Sequence, residues 1–255
     1  MSVFWCAGMY ASGSTWAYNV MRAIAAATYP ARRRTSRFAN TLADLAGIED
    51  DDALHVVKTH DLPRDAAEAL LAQSPGIVAT IRDPRDAVTS LMRYQRFGFE
   101  QAGQTVTKSA NFLARLTERA NPLLLRFEDR FPETPETVPR IAAALGVDLD
   151  PSVALGIFAA HRREVVEKFI AALPDDPASR HDPRSGDRYD PATQWHLHHA
   201  GRDGEIGRWR RILGPGQPAA IEADCAAAMA RFGYKPEPLH MPGYSLKVGG
   251  FRLEI

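Results

Sequence analysis

A glycine-rich turn between a strand and a helix is the feature that most constrains this chain. Residues 8–16 read GMYASGSTW and stand between an apolar run, residues 3–7, and a helix-like stretch, residues 17–27. Such a turn leaves backbone N–H groups unpaired at the start of the helix, where the helix dipole also favours a phosphate or sulfate group. The spacing Gly8-x4-Gly13-x-Thr15 is that of a nucleotide P-loop, except that Ser14 occupies the lysine position. The sequence therefore predicts an anion-binding loop that does not hold ATP and magnesium in the usual manner.

Composition narrows the class of protein further. The chain has 255 residues, enough for one sizeable α/β domain, and its formal net charge is zero. A neutral chain has no global basic field to recruit nucleic acid or an anionic membrane, and no apolar run reaches membrane-spanning length. Cys6 and Cys225 lack metal or redox spacing, so Cys6 is expected in the core. Without a signal-peptide pattern, we expect a cytoplasmic protein, and the Ala- and Arg-rich composition fits a bacterial source.

The order of apolar and periodic segments predicts a parallel sheet covered by helices. Short apolar runs at residues 3–7, 54–57, 76–81 and 122–127 read as strands. Helical periodicity is present at residues 16–27, 64–72, 85–93, 106–120 and 134–145. Strands that alternate with helices indicate βαβ units, whose parallel strands are buried on both faces.

The second half of the chain has a different character. Residues 152–172 and 218–231 are helical in pattern, whereas residues 175–191 are crowded with Pro, Asp, Arg, Ser and Gly. A loop of that length is typical of lids or disordered segments. Residues 244–255 alternate around Gly249-Gly250 and predict a hairpin. We therefore expect one domain over residues 1–234 and a tail over 235–255. The three arginines at 32–34 are expected to be a solvated surface cluster.

Polar residues follow the third predicted strand in a pattern that suits an anion. Asp83 is placed to cap the next helix, Pro84 fits its first position, and Asp86 is spaced to complete the cap. Arg82 then emerges at the carboxyl end of the strand, the edge at which open α/β sheets bind ligands. Together with Ser90, two turns further on, it has the chemistry to hold a second phosphate. The alternative is that Arg82 only pairs with a neighbouring acid.

Two further segments carry candidate chemistry. Residues 55–63, HVVKTHDLP, place Lys58 and His60 where the second predicted strand ends. A base beside a cation suits a reaction that removes a proton and stabilises a departing anion, although a lone histidine is more often structural. Residues 202–210, RDGEIGRWR, predict a turn whose backbone approaches a ligand closely, or else a plain loop before the last helix.

In this order, these segments resemble the sulfotransferases that use 3′-phosphoadenosine 5′-phosphosulfate (PAPS), over most of residues 2–232. The resemblance implies a three-layer, P-loop-like α/β fold whose central parallel sheet of about five strands is flanked by helices. It implies PAPS as co-substrate, 3′-phosphoadenosine 5′-phosphate (PAP) as product, and no metal. The residues it assigns to nucleotide binding are Ala11, Ser12, Gly13, Ser14, Thr15, Trp16, Arg82, Ser90, Phe127, Arg202, Asp203 and Gly204.

The resemblance also implies a role for each part of the site. The glycine-rich loop would hold the 5′-phosphosulfate, with Trp16 stacked on adenine and Phe127 near it. Arg82 and Ser90, eight residues apart, match the family's 3′-phosphate pair, and the loop that begins at Arg202 would close on the same phosphate. By the same likeness, the histidine of the KTHDLP segment is the general base and its lysine assists. The acceptor would be a hydroxyl or amine of a small molecule or natural product, bound by loops 93–104 and 175–199.

Two positions depart from the family pattern. Ala11 stands where the family usually has Lys or Arg against the oxygen that bridges sulfur and phosphorus, and Asp203 replaces a second cation of the C-terminal loop. Loss of one charge stabiliser typically costs about 10²–10³ in rate. Either Lys58 or a loop arginine substitutes, or the enzyme is slow or inactive, or residue 11 is not the natural one.

Two other functions remain open at this point, a P-loop kinase and a PAPS- or PAP-binding protein with impaired catalysis. Ser14 in the lysine position, and Arg82 where a kinase has an acid, both count against the kinase. The sequence does not decide between a monomer and a homodimer.

Overall fold

A five-stranded parallel sheet forms the centre of the molecule. The computed structural model describes residues 2–48, 52–182, 186–200, 204–237, 245–248 and 251–254. The strands of the sheet are β1 (Ser2–Gly8), β2 (Arg34–Phe38), β3 (Leu54–Thr59), β4 (Gly76–Ile81) and β5 (Leu123–Arg126). They lie in the order β2-β3-β1-β4-β5, and every pairing is parallel. The predicted α/β architecture is therefore confirmed, with β1 in the central position.

Helices cover both faces of this sheet. They are α1 (Ser14–Thr28), α2 (Arg64–Leu71), α3 (Pro84–Tyr94), α4 (Phe99–Arg119), α5 (Thr137–Ala144), α6 (Pro151–Ala160), α7 (Arg163–Ala172), α8 (Trp209–Ile212), α9 (Gln217–Asp224) and α10 (Ala226–Phe232). Short 3-10 turns occur at Ala43–Leu45, Phe127–Asp129, Phe131–Glu133 and Leu197–Ala200. Among the described residues, no helix combines the length and the apolar character that crossing a membrane requires.

The three layers follow from the alternation of side chains along the strands. Trp5 of β1 points to a core that it shares with Leu113 of α4. Its neighbours Phe4 and Cys6 point to the opposite core, which contains Tyr18 of α1. Because successive strand residues face opposite sides, a strand in the middle of the sheet is buried throughout. The expectation that Cys6 lies in the core is confirmed, and burial raises the pKa of its thiol to about 12.

Edge strand β2 is absent from the sequence prediction. Its sequence, RTSRF, has neither an apolar run nor a clean alternation, because an edge strand is only partly covered. The expectation of a surface location for the arginine cluster holds for Arg33 and Arg34, which are exposed, but Arg34 already begins this strand.

Three helix predictions also differ from the structure. The continuous helical pattern at 152–172 is two helices, since Arg162 adopts an extended conformation and the His161 ring bonds back to the Ile157 carbonyl. The pattern at 218–231 likewise breaks at Cys225 between α9 and α10. Helix α4 begins at Phe99 rather than at residue 106, so much of the predicted acceptor loop 93–104 is helical.

The predicted long loop at 175–191 contains some regular structure. Strands β6 (Arg180–His181) and β7 (Arg188–Tyr189) pair antiparallel, while residues 183–185 lie outside the described part. Near the C-terminus, β8 (Ser245–Val248) and β9 (Phe251–Glu254) form an antiparallel pair where the hairpin is predicted, and the turn at 249–250 is outside the described residues. The division into a domain at 1–234 and a tail at 235–255 stays a prediction.

Candidate active site

The loop between β1 and α1 has two residues with a left-handed backbone and packs closely on the strand end. Ala11 and Gly13 both have positive φ, at 57° and 81°. A Cβ on Gly8 would lie 2.4 Å from Ser14 Cβ, so the loop packs directly on the strand end. Ser12 Oγ donates to the Met9 carbonyl at 2.7 Å and therefore accepts the hydroxyl hydrogen of Thr80 on β4. These contacts fix the loop at the carboxyl end of the sheet.

The start of α1 is open to an anion. Its N-cap residue is Gly13, no side chain caps the helix, and its first turn carries no acidic residue. The first amide groups of a helix have no partner within the helix. Ser14 and Thr15 thus begin a 15-residue helix at the place where the sequence predicts a bound phosphate or sulfate, and that binding stays a prediction.

Lys58 lies directly against this helix start. Its side chain is 4% exposed, and Nζ donates to Thr15 Oγ1 at 2.7 Å. Burial lowers the pKa of Lys58 to about 8, so the ammonium group keeps its proton at neutral pH. The structure therefore brings Lys58 and the glycine-rich loop together.

His60 follows β3 and contacts the other end of the loop. Its Nδ1 lies 2.7 Å from the Gly8 carbonyl oxygen. A carbonyl only accepts, so Nδ1 carries the hydrogen and Nε2 keeps a lone pair. Tyr10 stacks on the ring at 3.9 Å, and Phe38 meets it edge-on. Burial, with the charge of Lys58 adding to it, lowers the pKa of His60 to about 3, which makes the ring neutral.

Arg82 connects the glycine-rich loop to the C-terminal segment. Its guanidinium donates to the Ala11 carbonyl at 3.2 Å and to the Glu205 carbonyl at 3.0 Å, and it lies 4.2 Å from the Phe127 ring centre. The side chain is 5% exposed, and within the described residues its buried Nε has no hydrogen-bond partner. Burial also lowers the pKa of Arg82. Ser90, its predicted partner for phosphate, is half-buried within α3.

The segment around residues 204–209 is held at the start of α3. Asp83 caps α3 by accepting from the Arg85 amide, and Pro84 is its first residue, both as predicted. Asp86 does not complete that cap, which corrects the prediction. It accepts instead from the Gly207 amide at 2.6 Å and the Trp209 amide at 3.0 Å. The loop therefore docks beside Arg82. Arg202 and Asp203 lie outside the described residues.

A cleft of about 290 Å³ lies next to the segment around residues 204–209. It is lined by Phe127, Arg130, Pro132, Glu133, Arg163, Gly204 and Glu205. A Cβ on Gly204 would lie 3.2 Å from the Phe127 ring, so Gly204 and Phe127 form a close pair. Trp16 is only 5% exposed: it donates from Nε1 to the His161 carbonyl and meets Phe131 edge-on. Phe127 thus lines the cleft, whereas Trp16 is buried and is not one of the described residues that line it.

The sequence analysis missed a group of histidines. His196, His198 and His199 form a run with one leucine, and the structure places the first two beside Asp187. Burial and nearby charges, including that of Lys58, lower the pKa of both His196 and His199. The signal was present in the HLHH sequence, but its acidic partner is nine positions earlier. The structure therefore brings together three side chains of metal-ligand type, whereas the resemblance implies no metal.

Comparisons with known proteins give the fold a context. A scan against protein-family models and a search of the curated proteins both find no match. Among solved structures, retinol dehydratase in complex with androsterone and the inactive cofactor PAP is 17% identical at a TM-score of 0.58, with 95% of this chain and 83% of that chain covered. The mouse sulfotransferase SULT7A1 complexed with PAP is 15% identical at a TM-score of 0.57, with 90% and 84% covered.

A second structure of retinol dehydratase, with retinol and PAP, is 16% identical at a TM-score of 0.56, with 89% and 81% covered. These alignments extend over nearly the whole chain, so they concern the complete arrangement of sheet and helices. At such identities the likeness is one of fold, and the chain has the α/β fold of the sulfotransferases.

Proposed function

We propose that this protein transfers a sulfuryl group from PAPS to a hydroxyl or amine of a small molecule. One observation carries the proposal: Lys58 and His60, two residues apart, contact the two ends of one anion-binding loop. Lys58 Nζ meets Thr15 at the start of α1, and His60 Nδ1 meets Gly8 at the end of β1, each at 2.7 Å. A cation and an unprotonated imidazole nitrogen at one anion site are what an in-line group transfer requires.

The nucleotide is proposed to bind along the carboxyl edge of the sheet. Its 5′-phosphosulfate would take the amides of residues 11–15, and its adenine would lie against Phe127 and the edge of Trp16. The 3′-phosphate would lie between Arg82, Ser90 and the loop that starts with residues 202–204. The buried Nε of Arg82, which has no hydrogen-bond partner among the described residues, supports an anion there.

In the proposed step, the acceptor oxygen attacks sulfur while its proton passes to His60 Nε2. The new bond joins sulfur to the acceptor, and the bond from sulfur to the bridging oxygen breaks. Negative charge then collects on that oxygen and leaves with PAP, and Lys58 stabilises it together with the loop amides. The low pKa of His60 comes from burial and from the charge of Lys58. A bound phosphosulfate would raise the pKa of His60, because a nearby negative charge favours the imidazolium form.

Lys58 is the cation proposed to compensate for Ala11. Its Nζ lies 2.7 Å from Thr15 Oγ1, so a positive charge is present at the start of the helix that follows the loop. Buried charges are screened less than exposed ones, so this lysine acts strongly on a bound anion.

The test combines binding with turnover. PAP should raise the melting temperature without magnesium, whereas ATP with magnesium should not, because only binding to the folded state stabilises it. Sulfur-labelled PAPS should then transfer its label to members of a library of phenols, alcohols and amines. Stabilisation by ATP with magnesium alone would overturn the proposal in favour of a kinase.

A non-catalytic nucleotide-binding protein is the second candidate. It is favoured by the two features that weaken catalysis, Ala11 in the loop and the depressed basicity of His60. Stabilisation by PAP, with no transfer of label to any acceptor, would select this function over the enzyme.

A further inference from the structure

The chain segment that connects α7 to α8 contains a compact set of side chains of metal-ligand type. Asp187, His196 and His198 each present one ligand atom, and these atoms all lie within 4.8 Å of one another. Asp187 Oδ2 is 2.6 Å from His198 Nδ1 and 3.9 Å from His196 Nδ1. The exposed fractions of the three side chains are only 14%, 16% and 18%.

One ligand atom in this set is buried without a hydrogen bond. Nδ1 of His196 makes none within the described part of the chain. The ring is nevertheless fixed, because it stacks on Tyr189 with centroids 4.9 Å apart and the His196 amide donates to His199 Nδ1. Leaving a buried polar atom unpaired costs about 1–3 kcal/mol, so native structures nearly always supply a partner. His196 Nδ1 lies 3.9 Å from Asp187 Oδ2, a separation that suits a bound partner shared by the two atoms.

The distances fit an ion after small adjustments. Zinc binds imidazole nitrogen and carboxylate oxygen at about 2.0–2.2 Å, which puts neighbouring tetrahedral ligands roughly 3.3–3.5 Å apart. The separation of Asp187 and His198 is shorter than this and that of Asp187 and His196 is longer. Side-chain shifts of under about 1 Å would bring both to the required value.

We propose that Asp187, His196 and His198 bind a divalent transition-metal ion of the zinc class. Two imidazoles and one carboxylate are a donor set that zinc and its first-row neighbours favour, with the fourth position left to water or another ligand. The His198 amide also donates to Asp187 Oδ2 and holds the carboxylate in place, as the outer partners of metal ligands commonly do.

The site ties the segment at 186–200 to the body of the domain. Tyr94, the last residue of α3, stacks on His198 at 5.7 Å, so an ion at His198 would be anchored to the helix that follows Arg82. This inference does not rest on the proposed sulfuryl transfer, and the ion takes no part in that step. It would order a wall of the region in which the sequence analysis places the acceptor.

Metal titration of the full chain tests the proposal. Protein freed of metal by a chelator, with any affinity tag removed, is titrated with Co²⁺ and then with Zn²⁺ against a chromophoric chelator. We expect one ion per chain at micromolar affinity or tighter, with the visible absorption bands of tetrahedral Co²⁺. His196→Ala, His198→Ala and Asp187→Asn should each weaken binding at least about 100-fold. His181→Ala, which removes an exposed histidine of β6, should leave the affinity unchanged.

A second readout covers variants that fold poorly. Zn²⁺ should raise the melting temperature of the wild-type protein, and Asp187→Asn, the variant closest to it in shape, should lose this shift. Absence of Co²⁺ and Zn²⁺ binding at micromolar concentrations would overturn the proposal. Equal affinity in the wild type and the three ligand variants would overturn it too.

Discussion

The imidazole of His60 donates its Nδ1 hydrogen to the carbonyl oxygen of Gly8 at 2.7 Å. This bond joins the end of β3 to the end of β1, the neighbouring strand that leads into the glycine-rich loop. It also selects the tautomer, because the hydrogen at Nδ1 leaves Nε2 as the acceptor. A histidine held in this way presents Nε2 as the acceptor that the proposed transfer needs.

Replacing His60 separates catalysis from nucleotide binding. His60→Ala should lower kcat by about 10²–10⁴, the usual contribution of a general base, while the Kd for PAP changes less than severalfold. Single-turnover transfer of labelled sulfuryl and calorimetric titration with PAP measure the two effects. A variant with full turnover would exclude His60 as the base.

The pH profile of kcat/KM for PAPS, which reports the free enzyme, should show Lys58 at its alkaline end. The pKa of Lys58 is lowered to about 8, so activity should fall as the pH rises through that value and the ammonium loses its proton. On the acid side, His60 has a pKa of about 3 and stays unprotonated, so the profile should be flat down to about pH 5.

Lys58→Arg is the matched control for this profile, since a guanidinium keeps its proton throughout the range. It should move the alkaline fall to higher pH even if the maximal rate drops. An alcohol acceptor keeps acceptor ionisation out of the measured range. An alkaline limb that stays at the same pH in Lys58→Arg would assign it to another group.

A charge at position 11 tests the compensation by Lys58. Ala11→Lys should raise kcat if the bridging oxygen still lacks a cation, by up to about 10²–10³, the cost usually seen when one such stabiliser is removed. Ala11→Met has a similar length without the charge and should not accelerate the reaction. Equal rates for wild type and Ala11→Lys would show that Lys58 already supplies the charge.

Asp86 should control affinity for the 3′-phosphate. Asp86→Ala removes the acceptor for the Gly207 and Trp209 amides, and hydrogen bonds to a charged group contribute about 1.5–3 kcal/mol each. We expect PAP to bind at least about tenfold more weakly, whereas adenosine 5′-phosphate, which lacks the 3′-phosphate, should bind almost as before. Equal losses for the two nucleotides would mean that Asp86 acts on the whole site.

Stability provides a test of the loop geometry. Gly8→Ala introduces a Cβ 2.4 Å from Ser14 and 2.5 Å from Thr80, so it should destabilise the fold by about 1–3 kcal/mol. Gly103→Ala in α4 meets nothing within 4 Å and should stabilise it by roughly 0.5–1 kcal/mol. Denaturant unfolding of both variants measures the difference. Similar stabilities for both would contradict the close packing at Gly8.

The sequence predicts the buried strands of this molecule better than its edge strand and its helix breaks. Buried strands such as β1 and β4 read as apolar runs because both their faces are covered, and the caps of α3 follow from local chemistry at Asp83 and Pro84. Strand β2 was missed because its half-exposed residues carry no periodic signal. The break between α6 and α7 depends on the conformation of Arg162, which the periodicity of the neighbouring residues does not contain.

For the candidate site, the sequence predicts which residues lie at the same edge of the sheet, but only the tertiary structure gives their hydrogen-bond partners. Lys58 and His60 were found because they follow a strand next to β1. The use of Asp86 as an acceptor for the 207–209 backbone depends on a contact across more than a hundred residues, which no local pattern encodes. The pairing of Asp187 with two histidines is equally non-local, since β7 and the turns after it bring them together.

The two carbonyl contacts of Arg82 join two distant parts of the chain. One guanidinium bonds to Ala11 in the glycine-rich loop and to Glu205 in the segment before α8. An anion that drew this side chain towards itself would release both carbonyls in a single event. Amide hydrogen exchange in the glycine-rich loop and in the segment around Glu205 should then change together when the nucleotide binds.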